Sequence, residues 1–208
     1  MSTSPIAPAS DSVRLTRGRR TPGARRLEIL QALASMLEDP RGDRVTTAAL
    51  AARLGVSEAA LYRHFASKAQ MFEGLIEFIE TTVIGLINEI ESRESSGLAQ
   101  AARIVRMLLD FAATNRGMTR VLIGDALVSE HERLQERMNQ LHERIESSLR
   151  QSFRVAAADP GAAPGADASA RAAVAMAYVV GRWHRFAKSG FRKTPTDNLD
   201  TQLPLLIG

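Results

Sequence analysis

The sequence predicts an all-α protein, in which an N-terminal three-helix unit built around a helix-turn-helix precedes a larger helical body. Three observations carry this. Apolar residues recur at spacings of three and four from Ile29 almost to the C terminus, so that one side of each segment is oily and the other wet. Clusters of Gly, Pro, Ser and Asn cut this pattern into helix-sized lengths, and no stretch requires a strand. Residues 46–68, TTAALAARLGVSEAALYRHFASK, contain a short helix, a glycine turn and a second short helix.

The chain of 208 residues is long enough to bury about 70% of its unfolded surface without staples. It has no cysteine, which excludes disulfides and thiolate metal sites. Neither a leader-like apolar run near the start nor a membrane-spanning run occurs, and a cytoplasmic, nucleoid-associated location is expected. The net charge of +4 is unevenly placed. Residues 1–70 carry eleven Arg/Lys against six Asp/Glu, whereas residues 71–208 carry sixteen against seventeen. The positive excess therefore lies with the helix-turn-helix, as in a protein that neutralises phosphates at one end.

Taken in order, residues 1–24 are rich in Ser, Thr, Pro and Gly and predict a disordered arm. Arg14, Arg17, Arg19, Arg20, Arg25 and Arg26 crowd its end, suited to a phosphate backbone or a minor groove. Ile29, Leu30, Leu33, Ala34 and Leu37 predict a bracing helix, which the turn 39–43 ends. Thr46 or Thr47 caps the next helix, Gly55 makes the turn and Val56 fills the angle between helices. Ser57 caps the second helix and Glu58 suits its positive end. Leu61 and Phe65 face inward, which turns Ala59, Tyr62 and Arg63 outward and leaves His64 on the flank. A short helix presenting Tyr, Arg and His is suited to reading DNA. These residues form the helix-turn-helix DNA-binding domain, 25–70.

Beyond it, Ser67 and Gln70 form a capping box for a long helix reaching about Arg93, with Lys68 in its first turn where an amine and free N–H groups can hold a phosphate. A break at 95–97 precedes a helix over 98–113. Asn115-Arg116-Gly117 reads as a stop, and Met118 to Val128 as a shorter helix. Ser129 with Glu132 opens a long amphipathic helix, its stripe Leu134, Met138, Leu141, Ile145 and Leu149 flanked outside by Glu132, Arg133, Glu136, Arg137, Glu143 and Arg144. Residues 156–168 read as a flexible linker. The helix over 170–188 is dense in small residues, and paired with the preceding one it predicts a four-helix homodimer interface. The apolar tail, Leu203 to Ile207, is expected to pack back on the body. Residues 71–208 thus form a helical dimerisation and partner-binding domain.

His64, His131, His142 and His184 have no ligand spacing, and no phosphate loop or nucleophile elbow occurs. No enzyme, metal or cofactor is expected.

The segment LAARLGVSEAALYRHFASK resembles the DNA-binding region of the TetR family of regulators. The body resembles one branch of it, the nucleoid occlusion factors, in FEGLIEFIE (72–80), NRGMTRVLIGDAL (115–127), ERLQERMNQLHERIE (132–146) and RFAKSGFRKTPTDNLD (185–200). That resemblance implies a homodimer on palindromic sites in double-stranded chromosomal DNA, inhibiting division-ring assembly over the nucleoid. It also implies a groove for the C-terminal tail of the tubulin-like cell-division GTPase, matched here by Phe78, Met107, Thr114 and Asn115. Leu86 and Thr114 stand where the family has basic groups. A second reading stays open: a TetR-type transcriptional repressor released by a small-molecule effector.

Overall fold

The computed structural model describes residues 23–39, 44–128, 130–158 and 167–208. The described residues form α1 (Ala24–Met36), α2 (Thr47–Leu54), α3 (Glu58–Tyr62), α4 (Lys68–Arg93), α5 (Gly97–Thr114), α6 (Arg116–Leu122), a 3-10 turn at Asp125–Leu127, α7 (Glu132–Ala157), α8 (Ala168–Lys188) and α9 (Leu199–Ile207), with no strand among them. Arg14, Arg17, Arg19, Arg20, the turn residues 40–43, Ser129 and most of the expected linker (159–166) lie outside the described residues.

Side-chain caps set most helix starts. Thr46 accepts from the Ala49 amide at 3.1 Å, Ser57 from Ala60 at 3.3 Å, Ser67 from Gln70 at 3.2 Å and Ser96 from Ala99 at 3.4 Å. The Gln70 side chain returns to the Ala66 amide at 2.9 Å, which fastens the start of α4 from both directions. Gly55, at φ +66°, ends α2 in the left-handed region, and the Val56 amide reaches back to the Ala51 carbonyl at 3.0 Å.

Helices α4, α5, α7 and α8 enclose the body's core. Ile76, Ile79, Val83 and Ile87 meet Ile104, Leu108, Met138, Leu141, Ile145, Val179 and Trp183, all fully buried. Burying a large apolar side chain stabilises by about 1.5–3 kcal/mol, so this layer outweighs any surface pairing. Trp183 keeps its N–H satisfied by donating to the Leu108 carbonyl at 3.1 Å. The C-terminal segment folds back as α9. Tyr178 donates to Gln202 at 2.7 Å, and Arg182 donates to the Pro195 and Asp197 carbonyls at 2.8 and 2.7 Å. Pro204 sits inside α9.

The stretch after α5 departs from expectation. Asn115-Arg116-Gly117 does not stop helical structure for long, because α6 starts at Arg116 itself. Gly117 is buried against α1, where an added methyl would overlap the Ala34 carbonyl oxygen. The glycine is required by close approach. The helix expected over Met118–Val128 ends at Leu122, since Gly124 at φ +76° turns the chain into the 3-10 segment. On α7, two of the charges expected outside face α4 instead: Arg133 pairs with Glu73 at 2.6 Å and Arg137 with Glu80 at 2.7 Å. The hydrogen bonds from Glu80 raise the affinity of Arg137 for its proton, against the opposing effect of burial.

Candidate nucleic-acid interface and partner groove

The reader is assembled by burying one face of each short helix. Leu50 and Ala51 of α2 and Leu61 of α3 are buried with Phe65, and this leaves Ser57, Glu58, Ala59, Tyr62 and Arg63 on the exposed side. Tyr62 is 45% exposed, unusual for so large a ring unless it has a partner. Helix α3 is shorter than a continuous recognition helix: Arg63 is its C-cap, still in the right-handed region, and half-buried His64 follows it. The choice between the two threonines is resolved. Thr46 is the cap, while the Thr47 hydroxyl donates to Glu58 at 2.6 Å and ties α2 to the start of α3.

The basic groups divide into those spent on the fold and those left outward. Arg26 donates to the His64 carbonyl at 2.5 Å and lies 4.2 Å above the Phe65 ring, so it braces the end of α3. Arg53 donates to Ser35 at 2.7 Å, across α1 and α2. Arg25 pairs with Glu28 at 2.6 Å in the first turn of α1. Arg63 is exposed on the outer side of the reader. Lys68 is turned toward the body, with its ammonium 2.5 Å from Glu130 and 5.6 Å from the Phe72 ring.

Two functional contacts were not legible in the sequence. Glu130 reaches the reader from the segment before α7 and approaches Arg44 at 3.5 Å as well as Lys68. Arg120 of α6 is nearly buried; it donates to the Leu37 and Asp39 carbonyls at 3.4 and 3.3 Å and to Asp125 at 2.9 Å. A guanidinium here satisfies carbonyls at the end of α1 and fastens the reader to the body. Burial alone would raise the Asp125 carboxyl's pKa, but hydrogen bonds from Lys188 and Arg120 hold it below the usual carboxylate range. No local pattern announces contacts between residues eighty positions apart.

A second surface lies along α4 and α5. Phe78 is 41% exposed on α4, and on the 3.6-residue repeat Thr82 and Leu86 share its edge. Gln100 of α5 donates to the Glu94 carbonyl at 2.7 Å, just past the end of α4, and this fixes which side of α5 faces that helix. Met107 and Thr114 follow Gln100 at intervals of seven, and so line the same side. Met107 is half-buried against the core, Thr114 is exposed with its hydroxyl donating to the Asp110 carbonyl at 2.9 Å, and Asn115 donates to the Phe111 carbonyl at 2.8 Å. The four expected groove residues therefore share one α4–α5 edge. Arg103 and Asp110, exposed beside them on α5, give that edge charges of both signs. Burial raises the Asp110 pKa, with the Arg106 charge opposing.

Elsewhere, His142 is packed between α6 and Trp183, with ring centroids 5.8 Å apart. Burial lowers its pKa, a hydrogen bond to the Leu122 carbonyl opposes this and the neighbouring His184 adds to it. Among the described residues no group of three or more His, Cys, Asp or Glu is placed to hold a metal, and no helix is long and apolar enough to cross a membrane.

Comparison with known proteins follows the same division. Residues 29–75 match the family of bacterial regulatory proteins of the tetR family, and residues 96–208 match the tetracyclin repressor-like C-terminal domain of SlmA-like proteins. The chain is 51% identical over 183 residues to the nucleoid occlusion factor SlmA of Vibrio cholerae serotype O1, covering 88% of this chain and 93% of that one. It is 50% identical over 178 residues to the nucleoid occlusion factor SlmA of Idiomarina loihiensis, covering 86% and 91%. Among solved structures, the transcriptional regulator FadR of Bacillus subtilis, in complex with stearoyl-CoA, aligns with a TM-score of 0.73 at 13% identity, covering 88% of this chain and 97% of that one. The MbdR regulator of Azoarcus aligns with a TM-score of 0.73 at 16% identity, with the same coverage. At such identities these two similarities concern the fold alone.

Proposed function

From the premise that this chain belongs to the SlmA nucleoid occlusion factors of the TetR family, non-catalytic proteins that bind DNA and keep division off the nucleoid, we propose how its two surfaces divide that work. The outward face of α3 and its flanks, Ser57, Glu58, Ala59, Tyr62, Arg63 and His64, reads double-stranded DNA. Thr46, Thr47 and the start of α4 with Lys68 sit on the phosphates, and Arg19, Arg20 and Arg25 extend the contact along the backbone. Two copies pair through α7 and α8. Ala170, Ala173, Ala177 and Gly181 leave the outer side of α8 nearly flat around Val174, which is 60% exposed, and small side chains let helices approach closely. Pairing of this kind sets two readers against the halves of a palindrome.

The edge between α4 and α5 takes the C-terminal tail of the tubulin-like cell-division GTPase. The observation that supports this reading is Phe78: a phenyl ring left 41% exposed beside half-buried Met107, with Arg103 and Asp110 for register. An apolar anchor with a polar rim is a usual arrangement for a short peptide. Leu86 and Thr114 make this rim less basic than the family pattern. The test is titration of a peptide with the tail's sequence into the parent and into Phe78→Ala, alongside thermal melts. Loss of at least tenfold in peptide affinity, with a stability change within about 0.5 kcal/mol as for an exposed position, is the expected outcome. Equal peptide affinity in the two proteins would remove Phe78 from the site.

A further inference from the structure

We infer that Glu130 is an electrostatic gate on the reader: its carboxylate holds Lys68 and Arg44 against the body, and DNA phosphate must displace it to use them. Both cations converge on the same oxygen, Lys68 at 2.5 Å and Arg44 at 3.5 Å. The Glu130 side chain is 8% exposed and that of Lys68 21%, so the pair is shielded from the salt and water that weaken surface ion pairs. The positions of the cations give the pairing its meaning. Lys68 directly follows Ser67, the cap of α4, and Arg44 lies two residues before Thr46, the cap of α2. Each stands where a helix start favours an anion.

A phosphate that approaches either helix start finds its counter-cation already occupied. It also meets a carboxylate of its own sign. Sharing is opposed by repulsion between the two anions, so binding proceeds by exchange of one anion for the other. Glu130 belongs to the body and not to the reader, and the same inter-helix stretch carries Arg120, which grips the end of α1. Exchange at Lys68 therefore loosens one of two body contacts, and DNA occupancy is passed to the segment before α7 without any movement of α4. The inference rests on the reading of Lys68 as a phosphate contact.

Glu130→Gln keeps the shape and removes the charge. Affinity for mixed-sequence double-stranded DNA is measured over a salt series for the parent, Glu130→Gln, Lys68→Met and the double variant, with a thermal melt of each. The Gln variant should bind roughly three- to tenfold more tightly at low salt and show a salt slope steeper by about 0.9 for a newly engaged phosphate. Adding Lys68→Met should remove that increment. A folded Gln variant that binds no better than the parent, while Lys68→Met binds worse, would overturn the gate and make Glu130 a brace. If Lys68→Met alone leaves both affinity and slope unchanged, the phosphate reading of Lys68 fails and the gate fails with it. Hydrogen exchange on the parent gives a readout that needs no variant. Amides of Glu130 and His131 should exchange faster with DNA bound, and equal or slower exchange there would contradict displacement.

Discussion

Arg63 shows how much a single residue is asked to do. It terminates α3, stays in the right-handed region and is exposed, so its fork is free to enter a groove while its backbone belongs to the fold. Arginine's bidentate contact with guanine is worth about 1–3 kcal/mol of discrimination. Arg63→Ala is therefore expected to relax preference at one base pair in each half-site and leave overall affinity largely to the phosphate contacts. Sequencing the DNA selected by parent and variant checks this; identical motifs would make Arg63 a backbone contact. Arg26 is the contrast. It is equally basic and close in space, yet it is committed to the His64 carbonyl and the Phe65 ring. Composition cannot tell these two arginines apart, and their partners do.

At the scale of elements, α6 is the joint between reader and body. Gly117 allows it to touch α1, Arg120 holds the carbonyls at the end of α1, and Asp125 ties Arg120 to Lys188 of α8 at 2.9 and 2.5 Å respectively. Because the folded Asp125 carboxyl has its pKa depressed, its stabilising contribution is fully present above the unfolded value, about 3.9, and is lost as pH falls through the folded one. Asp125→Asn is thus expected to destabilise by roughly 1–3 kcal/mol at neutral pH, the scale of a charged hydrogen bond lost. Its deficit against the parent should close below about pH 4, as read by urea melts across pH. A deficit that stays constant into acid would assign the effect to packing. This joint also marks the limit of the sequence reading. The helices and the caps at Thr46, Ser57 and Ser67 were legible because spacing and capping chemistry are local. Gly117 read as a stop, the helix to Val128 broke at Gly124, and Arg120 and Glu130 went unnoticed, because each depends on an element far away in the chain. The exposure of Phe78 was equally undecidable from spacing, since a position on the edge of an apolar stripe belongs to core or surface according to what its neighbours cover.

For the whole molecule, one helix touches both surfaces. Helix α4 begins at Lys68 beside the reader and carries Phe78 ten residues on, about 15 Å along its axis at 1.5 Å per residue. Its inward face is fully buried from Met71 to Ile87, so the body grips it as a rigid rod. A rod held in this way lets each surface bias the setting of the other, and thermodynamic linkage then requires the bias to be equal in both directions. The most direct measurement is a linked titration: tail-peptide affinity with and without saturating site DNA, and DNA affinity with and without saturating peptide, on the full chain. A shared factor of about 5–150 in the two directions, the usual range of allosteric coupling, is the result expected of a nucleoid-bound division antagonist. A folded dimer that binds its DNA and ignores the peptide whether or not DNA is present would contradict it.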